Sequence, residues 1–86
     1  MMGWYVYILR CRDGTLYTGI EVDLRRRLEA HQRGVAAKYT RSRRPVTLAY
    51  QEQRPNRSSA LRREAGLRQL GRAGKLALIR ARLTVR

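Results

Sequence analysis

Three phenols, a guanidinium, an imidazole and a carboxylate occur in this sequence at spacings that suit work on a phosphate ester. Tyr5-Val6-Tyr7 stands near the start, and Tyr17-Thr18-Gly19 follows. Tyr17 is ten residues after Tyr7, Arg27 is ten after Tyr17, and His31 is four after Arg27. Glu64 is the last acid of the chain. An arginine fork matches phosphate oxygens. A carboxylate is a natural ligand of Mg²⁺, a cation that keeps several waters and takes one or two protein ligands. A phenol, with an ordinary pKa of about 10, becomes a base only where cations sit close.

Each of these residues also has an ordinary use. Tyr5, Tyr7 and Tyr17 suit half-buried strands. Arg27 lies four residues after Asp23, an ordinary surface pair on a helix. His31 reads as a packed or solvated helix residue, or else as a phosphate ligand or proton shuttle. Glu64 is the most telling acid. On a helical wheel Ala60, Leu61, Ala65 and Leu67 flank it, which puts a carboxylate near the middle of an apolar arc. Burying it alone is costly, so it needs a cation, an arginine or a metal. The simplest partner is Arg68 at i+4, worth about 0.2–0.5 kcal/mol.

The elements that must position these groups are legible. Trp4 to Cys11 and Thr15 to Ile20 read as two strands around the turn Arg12-Asp13-Gly14. A two-residue turn would put Tyr7 and Tyr17 on opposite faces. A three-residue turn with Gly14 left-handed sets Cys11 opposite Thr15, Tyr7 opposite Gly19 and Leu9 opposite Tyr17, so both phenols share a face. Asp23 caps a helix running to about Arg33, with Leu24 and Leu28 inward and Gly34 at its end. Residues 36–44 read as a basic loop closed by Pro45. Val46 to Gln53 reads as a third strand with Val46, Leu48 and Tyr50 on one face. A helix over about 58–70 is announced by Pro55-Asn56 and Ser58-Ser59. Gly71 breaks it, and Arg72 to about Leu83 forms the last helix, with Leu76, Ile79 and Leu83 on one stripe. The expectation is an α+β (α/β) domain spanning 1–86, a three-stranded antiparallel sheet flanked by helices in the order β-β-α-β-α-α.

Composition narrows the partners. Twenty Lys and Arg against six Asp and Glu give a formal charge of +14, which favours polyanions and points to nucleic acid. The loop Lys38, Tyr39, Arg41, Arg43 and Arg44 suits phosphate tracking with a base stacked on Tyr39, against the simpler reading of a solvated loop. No apolar run approaches the roughly 20 residues of a membrane span. No secretory signal is evident at Met1-Met2-Gly3-Trp4. The single cysteine, Cys11, makes no internal disulfide, so a cytoplasmic setting is expected, with Cys11 as a packing residue.

Taken together, Tyr5-Val6-Tyr7, Leu16-Tyr17-Thr18-Gly19-Ile20, Asp23 to Leu28 with His31, Gly34 to Thr40, Arg44-Pro45-Val46 and Ala60 to Glu64 resemble the GIY-YIG nuclease superfamily, in its small stand-alone bacterial form. The resemblance implies hydrolysis of a nucleic-acid phosphodiester with one divalent metal. Glu64 would hold Mg²⁺ or Mn²⁺, and Arg27 would stabilise charge on the phosphate. Tyr7 and Tyr17 would position and deprotonate the attacking water, with His31 beside them. The substrate would be DNA in preference to RNA, cleaved or nicked by structure rather than by sequence. Tyr5 replaces the glycine of the first motif, Glu21 follows the second motif, and no late asparagine is present. A basic nucleic-acid-binding module on the same fold, with feeble or no catalysis, is the alternative. Docking on an acidic protein is a third.

Overall fold

The hairpin predicted from Gly14 is the organising unit of the structure. The computed structural model describes residues 3–84, without the side chains of Leu83 and Thr84. The expected place of Leu83 on a helical stripe therefore lies outside the described side chains. Strand β1 (Trp4–Arg10) pairs antiparallel with β2 (Leu16–Glu21) in the register Tyr7↔Gly19 and Leu9↔Tyr17. Gly14 has φ 86°, Cys11 N–H donates to Thr15 O at 2.9 Å, and Gly14 N–H donates to Cys11 O at 2.9 Å. This is the three-residue turn, and it sends both phenols to one face.

Strand β1 is central in the order β2-β1-β3, where β3 is Thr47–Arg54. Val6, Tyr7, Ile8 and Leu9 are all buried, because helices cover both faces of this strand. One face packs Val6, Ile8 and Tyr50 against Ala60, Leu67 and Ile79. These last belong to α3 (Arg57–Gln69) and α4 (Gly71–Thr84). The other face packs Tyr7, Leu9, Cys11 and Val46 against Leu24 and Leu28 of α1 (Leu24–Arg33). Cys11 is a packing residue, as expected.

Three details differ from the sequence expectation. The expected antiparallel sheet and the order β-β-α-β-α-α hold, and the residues 36–44 expected as a loop add a one-turn helix, α2 (Lys38–Arg41). Contacts with the hairpin hold this segment: Arg12 N–H donates to Arg43 O at 2.9 Å, and Arg43 Nε reaches Asp13 Oδ2 at 3.1 Å. Secondly, Val46, Leu48 and Tyr50 do not share a face. The β1–β3 register runs Ile8↔Tyr50 and Leu9↔Leu48, with an irregularity between Ile8 and Leu9. The extra residue, Ala49, puts Leu48 beside the Tyr7 cluster and Tyr50 in the opposite one. Thirdly, Leu61 and Ala65 are exposed. The buried stripe of α3 is Ala60 and Leu67, and Glu64, about 40° round the helix from Ala60 at 100° per residue, stands at its margin. Among the described residues no helix is long and apolar enough to cross a membrane.

Candidate active site

Tyr7 is 2% exposed, and its ring lies directly across Gly19 of the neighbouring strand. A Cβ at Gly19 would stand 2.6 Å from Tyr7 Oη and 2.7 Å from Cζ. The glycine of the second motif is therefore the space through which the phenol reaches the β2 side of the sheet. There Tyr7 Oη meets His31 Nε2 at 3.1 Å, and His31 Nδ1 meets Thr40 Oγ1 at 2.8 Å. The direction of these bonds follows from the far end. Thr40 Oγ1 donates to Ala37 O at 3.2 Å, so it accepts from His31 Nδ1–H. His31 Nε2 then carries the lone pair, and Tyr7 donates to it.

Three side chains from β1, α1 and α2 thus form one hydrogen-bonded chain. His31 is 1% exposed, a packed residue whose Nε2 lone pair accepts from the Tyr7 phenol. Burial, helped by the nearby Arg27 charge, holds the imidazole below its ordinary pKa. Burial and the neighbouring Tyr17 phenol push the Tyr7 hydroxyl well above its ordinary value. Both groups are therefore neutral around pH 7.

Arg27 is not paired with Asp23. Asp23 caps α1 by accepting from Arg26 N–H at 3.1 Å through Oδ1. Arg27 Nε instead donates to Glu21 Oε2 at 2.6 Å, from α1 to the end of β2. The hydrogen bond to Glu21 raises the guanidinium pKa further. Glu21 is desolvated, which pushes its pKa up. Hydrogen bonds from the Val22 N–H and from Arg27 outweigh that push and hold the carboxyl below its ordinary range. This pair borders a concavity of about 380 Å³ lined by Glu21, Val22, Asp23, Arg26, Arg27 and Ala30.

Glu64 approaches from the opposite face of the sheet. Its side chain is 17% exposed, and Oε2 accepts from Arg68 Nη2 at 3.0 Å, the i,i+4 pair foreseen from the sequence. Arg68 is itself tied to Thr18 O at 3.1 Å, which anchors the pair to β2. The Glu21 and Glu64 carboxylates act electrostatically to raise the Tyr7 pKa, and Arg27 acts to lower it. Carboxylates and guanidinium from both faces therefore bear on one phenol. Glu64 Oε1 makes no hydrogen bond among the described residues, so a lone pair remains available on a half-buried carboxylate. That donor set fits a hard divalent cation taking one protein oxygen, with water and phosphate completing its shell. It is not a cage: among the described residues no three His, Cys, Asp or Glu could together hold a metal.

Tyr17 is half-buried, edge-on to His31 at 5.3 Å between ring centroids, and stacked on Tyr39 at 5.8 Å with 28° between planes. Arg43 Cζ lies 4.1 Å from the Tyr39 centroid. Tyr39 therefore already has stacking partners, and Arg43 is committed to Asp13 and to Tyr39 O. Arg44 is likewise committed, to Arg41 O and Gln32 O. Lys38 and Arg41 are exposed and point no carboxylate partner among the described residues. Tyr5 is half-buried opposite Glu21, two pairs along from Tyr7 and Gly19.

Sequence reasoning missed Thr40, Arg68's anchor on Thr18 and the Glu21–Arg27 pair. Thr40 has no local signature, since its partner His31 lies nine residues back. Glu21 was visible as an unusual acid after the second motif, and its distance from Arg27, six residues, crosses an element boundary.

The family model described as the GIY-YIG catalytic domain matches residues 3–77. A UPF0213 protein of Streptococcus sanguinis (strain SK36) is 50% identical over 78 residues, covering 91% of this chain and 90% of the relative. UPF0213 protein SAV0488 of Staphylococcus aureus (strain Mu50) is also 50% identical over 78 residues, with 91% and 95% covered. The solution NMR structure of UPF0213 protein BH0048 from Bacillus halodurans is 41% identical. It matches with a TM-score of 0.60 over 93% of this chain and 85% of that one.

Proposed function

The chain belongs to the GIY-YIG catalytic-domain family, and on that premise we propose that it is a divalent-metal-dependent endonuclease that hydrolyses nucleic-acid phosphodiester bonds. The substrate is DNA in preference to RNA, recognised by structure, and the setting is cytoplasmic. The observation that carries this reading is the Tyr7–His31–Thr40 chain beside Arg27 and Glu64.

The chemistry follows from the hydrogen-bond directions. A raised Tyr7 pKa disfavours a free phenolate, so the phenol works as a relay. Its oxygen accepts a proton from the attacking water while its own proton passes to His31 Nε2. The phenol stays neutral, His31 becomes the cation, and Thr40 Oγ1 receives the imidazolium Nδ1–H. Water oxygen forms the new bond to phosphorus, the P–O bond to the leaving strand breaks, and the leaving oxygen takes a proton from solvent water. Tyr17 orients the water from the other side of His31. Arg27 places positive charge against the phosphate oxygens, where it counts most as charge develops. Glu64 would hold Mg²⁺ or Mn²⁺, which would supply charge stabilisation as negative charge develops in the reaction. Lys38, Tyr39, Arg41, Arg43 and Arg44 provide the nucleic-acid-binding surface, Arg43 and Arg44 mainly by shaping it.

A second reading is favoured by one observation. Arg27 is already paired with Glu21, so a binding module with weak catalysis is the alternative on the same fold. Wild type and Glu64→Ala, incubated with supercoiled, single-stranded and branched DNA in Mg²⁺, Mn²⁺ or EDTA, separate the two. Metal-dependent cleavage lost in the variant with binding retained is the expected result. Binding without cleavage in every condition selects the second reading.

A further inference from the structure

A separate concavity brings Arg41 and Arg44 of the nucleic-acid-binding surface together with Arg12, a residue that the chemistry above does not use. It is an open concavity of about 470 Å³ lined by Arg12, Gln32, Arg41, Ser42, Arg44 and Pro45, three arginines and no carboxylate. Its floor is rigid. Gln32 is clamped to Val46, donating to its O at 2.6 Å and accepting from its N–H at 3.1 Å. Arg44 is fixed by donating Nε to Arg41 O at 2.8 Å and Nη1 to Gln32 O at 3.2 Å. The chain makes room for that guanidinium at Gly34, where φ is 80° and a Cβ would stand 2.8 Å from Arg44 Cζ.

The other two cations are uncommitted. Arg12 Nη2 has only a long 3.5 Å contact with Ser42 O. The Arg41 guanidinium makes no hydrogen bond or ion pair among the described residues. Three like charges converging without a counter-charge repel one another, and an anion between them removes that cost. Guanidinium forks favour phosphate among anions.

We infer that Arg12, Arg41 and Arg44 form a phosphate-binding subsite that holds one backbone phosphate of a nucleic-acid strand. Arg44 is the preset anchor, and Arg12 and Arg41 close from the hairpin and from α2. Continuity with the candidate active site argues for a strand rather than a free ion. Helix α2 joins the two places: Thr40, which closes the hydrogen-bonded chain from Tyr7 through His31, is the residue before Arg41. The choice of nucleic acid as the anion source rests on the function proposed above; the three-arginine geometry does not.

The test uses the full chain in EDTA, so that it is independent of cleavage. Affinity for a fluorescent single-stranded DNA oligonucleotide is measured against salt for wild type, Arg12→Gln, Arg41→Gln and the double variant. Arg25→Gln, from the separate pocket at Tyr5 and Leu48, is the charge-matched control. Each subsite substitution is expected to make the log–log salt slope shallower by about 0.7, and the control to leave it unchanged. In parallel, inorganic phosphate is titrated while the Arg44 Nε–H resonance is followed by NMR. A saturable shift in wild type that disappears in the double variant is expected. A double variant with wild-type affinity and slope overturns the inference, as does a wild type that binds no oligonucleotide. A phosphate response with no change in oligonucleotide slope overturns the backbone assignment and leaves a free-phosphate site. A wild type that shows the slope effect but never cleaves with metal sinks the nuclease reading alone.

Discussion

Tyr7 donates its hydroxyl proton to His31 Nε2 across 3.1 Å, from the central strand to the inner side of α1. Two buried neutral groups thus satisfy each other, and the imidazole is held in one tautomer by Thr40. Replacing His31 by Phe keeps the ring volume and leaves the Tyr7 hydroxyl without its partner. The expected cost is about 1–3 kcal/mol of stability, read as a lower urea midpoint with unchanged slope. Cleavage is expected to fall by about 10²–10⁴-fold, the range of general acid–base contributions. A variant that cleaves at the wild-type rate would remove His31 from the relay.

The same burial sets a pH dependence. The folded-state pKa of His31 lies below its unfolded value, so the unfolded chain binds the extra proton first. Stability is therefore full above about pH 6.5 and declines as pH falls from there through the folded pKa. Tyr7 runs the other way: its folded pKa is raised, so stability declines as pH rises past about 10. Urea midpoints between pH 7 and pH 5 should fall in wild type and stay nearly level in His31→Phe. Parallel declines in both proteins would assign the acid limb to carboxylates instead.

Gly19→Ala tests the passage of the Tyr7 ring over β2. The added Cβ would meet a buried aromatic ring that is packed on its face of β1 and tied to His31. Overpacking of this kind costs about 1–3 kcal/mol. Thermal unfolding of Gly19→Ala beside wild type measures it, and cleavage should drop more than stability predicts, because the displaced phenol leaves the relay.

Arg27 and Glu21 should separate in their effects. Arg27→Ala is expected to lower kcat by about 10²–10³-fold, as for removal of one preorganised donor. Glu21→Gln keeps the arginine and removes one negative charge from the site, so nucleic-acid affinity in EDTA should rise and become slightly more salt-dependent. Anisotropy titrations read the second effect. Weaker binding by Glu21→Gln would show that the carboxylate positions Arg27 for phosphate rather than competing with it.

Local rules carried much of this protein into view. Gly14 set the hairpin register and with it the shared face of Tyr7 and Tyr17. Asp23 and Gly34 bounded α1, and helical period put Arg27 and His31 on one flank. Glu64 stood out as a carboxylate by an apolar stripe, and its pairing with Arg68 followed from i,i+4 geometry. These are properties of a chain's own turns and periods, which depend on neighbours a few residues away.

What only the tertiary structure decided involves partners far apart in the chain. A bulge at Ala49 sent Leu48 and Tyr50 to opposite faces, because β3 must match both clusters of β1. Arg27 reaches back across the element boundary to Glu21, while Asp23 caps its own helix. The basic segment became a helix pinned to the hairpin, which split its cations into committed Arg43 and Arg44 and uncommitted Arg41, and brought Arg12 beside them. Periodicity assigns a side chain to a face. Which of several competing charges it meets there is settled by packing between elements, where each carboxylate and carbonyl can be used only a limited number of times.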